Sequence, residues 1–73
     1  MYYVYVLRNN TNELYIGYTN DLNRRIKEHK RFKPGYNLIY YEAYISEVVA
    51  RRREKKLKYY GSAWRALKQR IFA

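Results

Sequence analysis

Residues 2–18 read YYVYVLRNNTNELYIGY, in which two aromatic and β-branched runs surround an asparagine-rich segment. Residues 2–7 and residues 13–18 are rich in side chains that favour β-strands. The segment between them, residues 9–12, is typical of a turn. The sequence therefore predicts an antiparallel hairpin, and the rest of the chain is expected to build on it.

The segments after the hairpin predict two helices and one more strand. Asp21 favours a helix over residues 21–31, because its side chain can cap the first turn. Residues 37–44 form a third strand-like run, bounded on its N-terminal side by a proline and a glycine. Ser46 is a suitable N-cap for a helix over residues 47–60.

The C-terminal segment predicts a third helix. Gly61 is expected to end the second helix, and Ser62 to cap the last one. Trp64, Leu67 and Ile71 repeat at helical spacing and predict a face that closes the core. The predicted order is β-β-α-β-α-α. This is an α+β fold in which a small three-stranded antiparallel sheet packs with three helices, expected as one domain over residues 1–73.

Charge is the strongest compositional signal. The 73 residues carry a formal net charge of +10, which draws polyanions and favours nucleic acid as the partner. The chain has no cysteine and one histidine, which excludes thiolate-bound zinc and a histidine-rich metal site. Any bound metal is therefore expected to be a hard cation held by oxygen.

The sequence shows no ordinary membrane or export signal. No apolar run approaches the roughly 20 residues that span a bilayer. Residues 1–8 are too short and too tyrosine-rich for a signal peptide. A cytoplasmic location without membrane association is therefore expected, and both a monomer and an association of two copies are compatible with the sequence.

Two polar residues of the first predicted helix fall on its apolar stripe. At about 100° per residue, Arg25 and His29 share the side of Leu22 that faces the sheet. One interpretation is structural: the histidine bonds a backbone carbonyl and the arginine side chain extends past Leu22 to solvent. The other interpretation is that both side chains line a functional site.

The second predicted helix places one acidic residue beside its apolar stripe. Glu54 borders the side of Ala50 and Leu57 in a segment whose other charged residues are cationic. Its structural interpretation is a salt bridge with a neighbouring cation, which contributes little to stability. Its functional interpretation is a single carboxylate that anchors one Mg²⁺ ion, with water and a phosphate completing the coordination.

The hairpin brings two tyrosines together if its register is right. A loop of three or five residues places Tyr5 and Tyr15 on one face of the sheet, and a loop of four places them on opposite faces. Gly17 shares the face of Tyr15 and is expected to leave room for a backbone or a phosphate.

These residues together resemble a known family. The ordered set is Val4-Tyr5-Val6-Leu7, Leu14-Tyr15-Ile16-Gly17, Asp21-Leu22 with Arg25 and His29, and Glu54. It is similar to the GIY-YIG nuclease superfamily over residues 2–57. The nearest form is that of the small stand-alone bacterial members, which are similar to the nuclease domain of excision-repair incision enzymes.

The resemblance implies an endonuclease that hydrolyses DNA phosphodiester bonds, in DNA repair or recombination. It implies that Glu54 holds Mg²⁺ or Mn²⁺ and that Arg25 contacts the scissile phosphate. Either Tyr5 or Tyr15 would take the proton of the attacking water, and His29 would orient that tyrosine or share the transfer. Accessory roles are expected for Tyr36 and Gly17.

The remaining cations of the second helix are expected to track the nucleic-acid backbone without reading sequence. They are Arg51, Arg52, Arg53, Lys55, Lys56 and Lys58. Recognition of DNA by shape, or weak non-specific binding, is therefore expected. Tyr3 stands where the family has glycine, so the approach of substrate near residue 3 is expected to differ. Without a recognisable targeting module, a partner protein is expected to choose the target.

Two other functions are compatible with the same charge. One is a non-catalytic DNA-binding module on the same scaffold, which would not need the Glu54 carboxylate. The other is an RNA- or ribosome-associated structural protein, which would use cations and aromatic residues but not an inward-facing Arg25 and His29. Metal-dependent cleavage that disappears on loss of Glu54 would separate the enzyme from both.

Overall fold

The computed structural model describes residues 1–72, which hold three strands and three helices in the predicted order. The strands are β1 (Tyr2–Arg8), β2 (Leu14–Thr19) and β3 (Asn37–Tyr44). The helices are α1 (Leu22–Phe32), α2 (Glu47–Lys58) and α3 (Ser62–Ile71). The predicted α+β fold is confirmed. None of the helices within this range is long and apolar enough to cross a membrane.

The hairpin register places the two tyrosines on one face. The sheet order is β2-β1-β3, and both neighbours of β1 are antiparallel to it. Five residues, 9–13, connect β1 to β2, so that Tyr5 pairs with Gly17 and Leu7 pairs with Tyr15. The Asn9 side chain holds this loop by accepting from the backbone N–H of Glu13 at 2.8 Å. Because alternate residues share a face, Tyr5 and Tyr15 point to the same side.

The two faces of the sheet carry different helices. One face supplies Val4, Val6 and Ile16 to the core, where they meet α2 and α3. The helical members of this core are Ala50, Leu57, Trp64 and Leu67. The opposite face carries Tyr5, which contacts side chains of α1. Helix α1 contributes no fully buried residue, in contrast to α2 and α3.

The N-caps of α1 and α2 are those predicted from the sequence, whereas the connection between α2 and α3 differs from the prediction. Asp21 caps α1 by accepting from Arg24 N at 3.1 Å, and Ser46 caps α2, both as predicted. The predicted end of α2 at Gly61 is wrong, because Tyr60 takes the left-handed conformation with φ 57°. Its ring packs edge-on against Trp64 with centroids 6.0 Å apart. Gly61 is then the N-cap of α3, in place of Ser62.

A polar cluster connects β3 to α2. Arg53 donates from Nε and Nη2 to the two carboxylate oxygens of Glu42, each at 3.0 Å. Tyr40 and Tyr44 also donate to Glu42. Burial raises the pKa of the Glu42 carboxyl, but these hydrogen bonds outweigh burial and hold the pKa below its ordinary value. Burial and the adjacent carboxylate raise the pKa of Tyr44 to about 12. The cluster fixes α2 against the sheet.

Candidate active site

Tyr5 lies at the centre of the polar contacts between the sheet and α1. Its side chain is fully buried in the middle of β1. Its hydroxyl is 3.1 Å from His29 Nε2 and accepts from Arg25 Nε at 3.4 Å. With Arg25 donating to the oxygen, the phenol proton is free to go to Nε2. The predicted inward placement of Arg25 and His29 is therefore what the structure shows.

Gly17 makes room for the ring of Tyr5. A Cβ atom added at Gly17 would collide with Cζ and the hydroxyl oxygen of Tyr5 across the strand pair. The space expected beside Gly17 is thus filled by the Tyr5 ring, and it is not open to a phosphate. Since Tyr5 and Gly17 are directly paired in the register, any side chain at 17 would displace the phenol from Arg25 and His29.

A surface cavity of about 230 Å³ opens beside this cluster. Its lining residues come from β2, α1 and the residue after α1; they are Tyr15, Arg25, Glu28, His29, Phe32 and Lys33. Tyr15 is the tyrosine of the pair that reaches the cavity, whereas Tyr5 lies beneath it. The cavity brings an accessible phenol, a guanidinium and an imidazole together at one place.

The groups around Tyr15 are close packed and cationic. The rings of Tyr15 and His29 have centroids 5.1 Å apart, and those of Tyr15 and Tyr5 are 6.3 Å apart. Lys33 Nζ lies 4.9 Å from the centroid of the Tyr15 ring. Arg25 Nη1 is held by Glu28 at 3.1 Å. The phenol of Tyr15 therefore sits among positive groups that are themselves positioned.

Burial and neighbouring charges set the protonation states of the cluster. Burial raises the pKa of the Tyr5 hydroxyl, and the hydrogen bond from Arg25 lowers it by less. The charges of Tyr15 and Glu54 raise this pKa further. Burial also lowers the pKa of His29, and the positive charges of Arg25 and Lys33 lower it further. At neutral pH, Tyr5 is thus a neutral phenol and His29 a neutral imidazole that can accept its proton.

Glu54 is not among the residues that line this cavity. Its carboxylate is one-fifth exposed, with a relative side-chain accessibility of 21%, and pairs with Lys58 Nζ at 3.2 Å. It borders a second pocket, of about 380 Å³, formed along α2 with Arg51, Arg52 and Lys55. Its charge contributes to the raised pKa of Tyr5, which places it within electrostatic reach of the cluster.

The carboxylate of Glu54 is the chemical type of ligand that a hard divalent cation binds. Residues 1–72 contain no group of three or more His, Cys, Asp or Glu side chains arranged to hold a metal ion. A single carboxylate such as Glu54 suits Mg²⁺ or Mn²⁺, which commonly bind one or two protein oxygens together with water and substrate phosphate. An ion held there would replace Lys58 as the partner of the carboxylate.

The cationic side chains that were expected to contact the nucleic-acid backbone lie on the exposed side of α2. Arg51, Arg52, Lys55, Lys56 and Lys58 are all exposed. Arg51 also stacks over the Tyr18 ring at 4.6 Å, which fixes it at the edge of the sheet. Arg53 differs from its neighbours, because its guanidinium is committed to Glu42.

Neither predicted accessory residue, Tyr36 or Gly17, lines the cavity, and three lining residues, Glu28, Phe32 and Lys33, were not predicted. Tyr36 is half-buried in the α1–β3 connection and is not among the residues that line the cavity. Lys33 and Glu28 do line it. Lys33 follows His29 by four residues and Glu28 follows Arg25 by three, so helical spacing was the signal that could have identified both.

Comparison with known proteins agrees with this geometry. The family model for the GIY-YIG catalytic domain matches residues 1–58. A UPF0213 protein of Haloquadratum walsbyi is 31% identical over 67 residues, covering 81% of this chain and 75% of that protein. A UPF0213 protein of Vibrio parahaemolyticus is 59% identical over 27 residues, covering 37% of this chain and 26% of that protein.

A solved structure extends the match to nearly the whole chain. The solution NMR structure of a UPF0213 protein from Bacillus halodurans is similar with a TM-score of 0.63 and 31% identity. The similarity covers 97% of this chain and 83% of that one. Sequence and structure agree on the same relatives, and the chain belongs to the GIY-YIG family.

Proposed function

We propose that the chain is a metal-dependent endonuclease that hydrolyses phosphodiester bonds in DNA. The observation that carries the proposal is the cavity in which Tyr15, His29 and Arg25 meet above the buried Tyr5. A basic domain that only binds DNA has no need to place a phenol, an imidazole and a guanidinium at one point. Membership of a family named for a catalytic domain supports the same reaction class.

In the proposed reaction a water molecule attacks the phosphorus in line with the leaving oxygen. Tyr15, reacting as its phenolate, takes the proton of that water and becomes a neutral phenol, since it is the tyrosine that lines the cavity. Arg25 contacts the phosphate and stabilises the negative charge that develops on it. Glu54 would hold the divalent cation, which would supply positive charge to offset that of the leaving oxygen.

The buried tyrosine and the histidine position the reacting groups. Tyr5 accepts from Arg25 and donates to His29, so that it fixes both side chains from below. His29 packs edge-on against Tyr15 and holds that ring in the cavity. The two tyrosines thus have different roles, because one is exposed to substrate and the other is not.

The proposal is tested by cleavage of labelled duplex, branched and single-stranded DNA with Mg²⁺, Mn²⁺ or EDTA. Cleavage is expected to need the metal and to disappear in Glu54→Gln, while binding in EDTA survives. Tyr15→Phe is expected to lower the rate at least 100-fold, the usual size of a lost general base. Glu13→Gln, a glutamate of the exposed β1–β2 loop, is the matched control and should cleave like wild type.

One observation favours the alternative of a non-catalytic DNA-binding module. Glu54 pairs with Lys58 and is absent from the cavity lining, so its carboxylate is already neutralised and is not directed at the cavity residues. If no DNA is cut with either metal, or if Glu54→Gln cleaves as well as wild type, the binding module replaces the nuclease. Binding of RNA without cleavage of any DNA would favour a structural role on RNA.

A further inference from the structure

The sheet face that carries Tyr5 also presents a second pair of tyrosines. Tyr3 and Tyr41 lie diagonally across β1 and β3, since Tyr3 pairs with Ala43 and Tyr5 pairs with Tyr41. Their rings meet edge to face with centroids 6.2 Å apart and an angle of 63° between planes. Tyr41 is 53% exposed. An aromatic surface therefore stays open on this face, next to the part that α1 covers.

This tyrosine pair forms one wall of a polar pocket of about 300 Å³. The lining residues are Tyr3, Tyr41 and the start of α1 with the residue before its cap: Asn20, Asp21, Leu22 and Asn23. The Asp21 carboxylate is occupied as the N-cap of α1. The amides of Asn20 and Asn23 are exposed, and each can both donate and accept. The pocket combines aromatic faces with bifunctional amides, which is the chemistry that recognises a nucleobase.

Shared lining residues relate this pocket to a neighbouring cleft, and that cleft to the candidate active site. Asn20 also lines the neighbouring cleft of about 280 Å³, in which Arg24, Arg25 and Arg51 lie together with Glu47. Arg25 in turn lines the cavity of Tyr15 and His29. A strand whose phosphates follow these arginines would carry its next bases towards Asn20 and the tyrosine pair.

We propose that Tyr3, Tyr41, Asn20 and Asn23 form a subsite for an unpaired base of the DNA strand, close to the phosphate that is cut. The subsite deepens the proposed function and rests on it. Stacking on tyrosine accepts every base, whereas the two amides add hydrogen bonds to the base edge. Substrates with unpaired bases beside the cut are therefore preferred over continuous duplex.

The ring of Tyr3, which forms part of the subsite, is not predicted by the family signature. The residue stands where glycine is expected in the GIY part of the signature. A glycine there would remove the ring that meets Tyr41 and would leave the pocket without one wall. The change from glycine to tyrosine thus builds a base-binding surface on the face that also holds the reacting residues.

The test measures binding in EDTA, so that it does not depend on cleavage. The probes are a short oligothymidylate and a strand of equal length in which abasic sites replace the bases. Wild type is expected to bind the oligothymidylate about tenfold more tightly than the abasic strand, which corresponds to the contribution of one stacked base to affinity. Tyr41→Ala should lose most of this ratio while its affinity for the abasic strand stays the same. Tyr41→Phe keeps a stacking ring and should keep the ratio.

Two controls make the result specific. Tyr59→Ala removes a tyrosine that is 84% exposed at the end of α2, and should leave the ratio as in wild type. Circular dichroism and thermal melting establish that Tyr41→Ala is folded, which its exposure leads us to expect. If Tyr41→Ala keeps the tenfold ratio, or weakens binding to both strands equally, the subsite is refuted.

The outcomes also separate the subsite from the nuclease. Cleavage of DNA together with no base-dependent difference in binding refutes the subsite and leaves the nuclease in place. A base-dependent difference that Tyr41→Ala removes, with no cleavage by wild type, supports the subsite and refutes the nuclease. Failure to bind either strand refutes the subsite, and the cleavage assay on duplex and branched DNA then decides on the nuclease.

Discussion

Gly17 determines where the buried phenol lies. Its α-carbon faces the Tyr5 ring across the strand pair, and an added methyl would overlap that ring. Gly17→Ala is therefore expected to displace Tyr5 from Arg25 and His29, and to lower the free energy of unfolding by about 1–3 kcal/mol, as overpacking does. Urea denaturation and cleavage rate measure the two effects.

Gly61→Ser is the matched control for this substitution. A Cβ atom at Gly61 meets nothing within 4 Å, and serine is a favoured N-cap for α3. Its stability should be equal to that of wild type or slightly higher. Wild-type activity in Gly17→Ala would show that Tyr5 does not position the site.

His29 is expected to give cleavage an acid limit. Burial first, and then Arg25 and Lys33, hold the pKa of His29 below its ordinary value of 6.5. Cleavage should therefore be level near neutral pH and fall as the pH drops through that lowered value, because a protonated Nε2 no longer accepts from Tyr5. The pH dependence of kcat/KM measures this. His29→Gln should lose that limb of the profile, and an unchanged profile would contradict the assignment.

The same shift has a consequence for stability. The folded state favours the neutral imidazole, so its contribution to the free energy of unfolding is complete above the ordinary pKa and is lost as pH falls. As the pH falls, the loss of stability should thus begin before the loss of activity, at the ordinary pKa of histidine, and urea denaturation at several pH values measures it.

At the scale of elements, the contact between β3 and α2 is predicted to be a main source of stability. Glu42→Gln leaves the Arg53 guanidinium without its charge partner, and the side chain of Glu42 is only 13% exposed. A fully buried pair that loses one partner costs about 3–5 kcal/mol, and partial exposure of Arg53 lowers the expected loss to about 2 kcal/mol. Urea denaturation measures it.

The control for the β3–α2 contact is Glu47→Gln. Glu47 pairs with Arg51 at 3.7 Å on the exposed side of α2, with half of its side chain accessible. Its loss should cost about 0–1 kcal/mol. Equal losses in the two variants would show that the Glu42 cluster has no special role. The lowered pKa of Glu42 means that its contribution is present above the ordinary carboxyl value and is lost as pH falls.

Elements with a regular pattern were predictable from sequence, and those set by packing were not. The bounds of β3 agree because the strand-forming run 37–44 is flanked by Gly35 and Ser46. The end of α2 differs because contact with Trp64 places Tyr60, and not Gly61, in the left-handed conformation. Propensity alone favours the glycine there, so only tertiary contact explains the tyrosine.

The same limit applies within the candidate site. Helical spacing identified Arg25 and His29 as inward residues. Strand alternation placed Tyr5 and Tyr15 on one face only for a loop of three or five residues, and the sequence left that length open. Sequence did not distinguish the buried tyrosine from the accessible one, because that depends on which ring lies across Gly17. The absence of Glu54 from the cavity lining likewise depends on how α2 lies against the sheet.

At the scale of the whole molecule, the net charge of +10 predicts binding that is steeply dependent on salt. Each phosphate contact contributes about −0.9 to the slope of log K against log salt on duplex DNA. Arg52→Ala and Lys55→Ala should each reduce the magnitude of the slope by about one if both side chains track the backbone. Titrations at several salt concentrations test this, and a slope near zero in wild type would contradict an electrostatic mode.

Helix α1 carries Arg25 and His29 of the candidate site, yet it supplies no fully buried side chain. Helices α2 and α3 anchor the core through Ala50, Leu57, Trp64 and Leu67. Separation of α1 from the sheet is therefore expected to cost less free energy than separation of α2 or α3. Its backbone amides should exchange with deuterium faster than those of α2, and bound DNA should slow them. A local opening of α1 would separate Arg25 and His29 from Tyr5 and leave the rest of the domain intact.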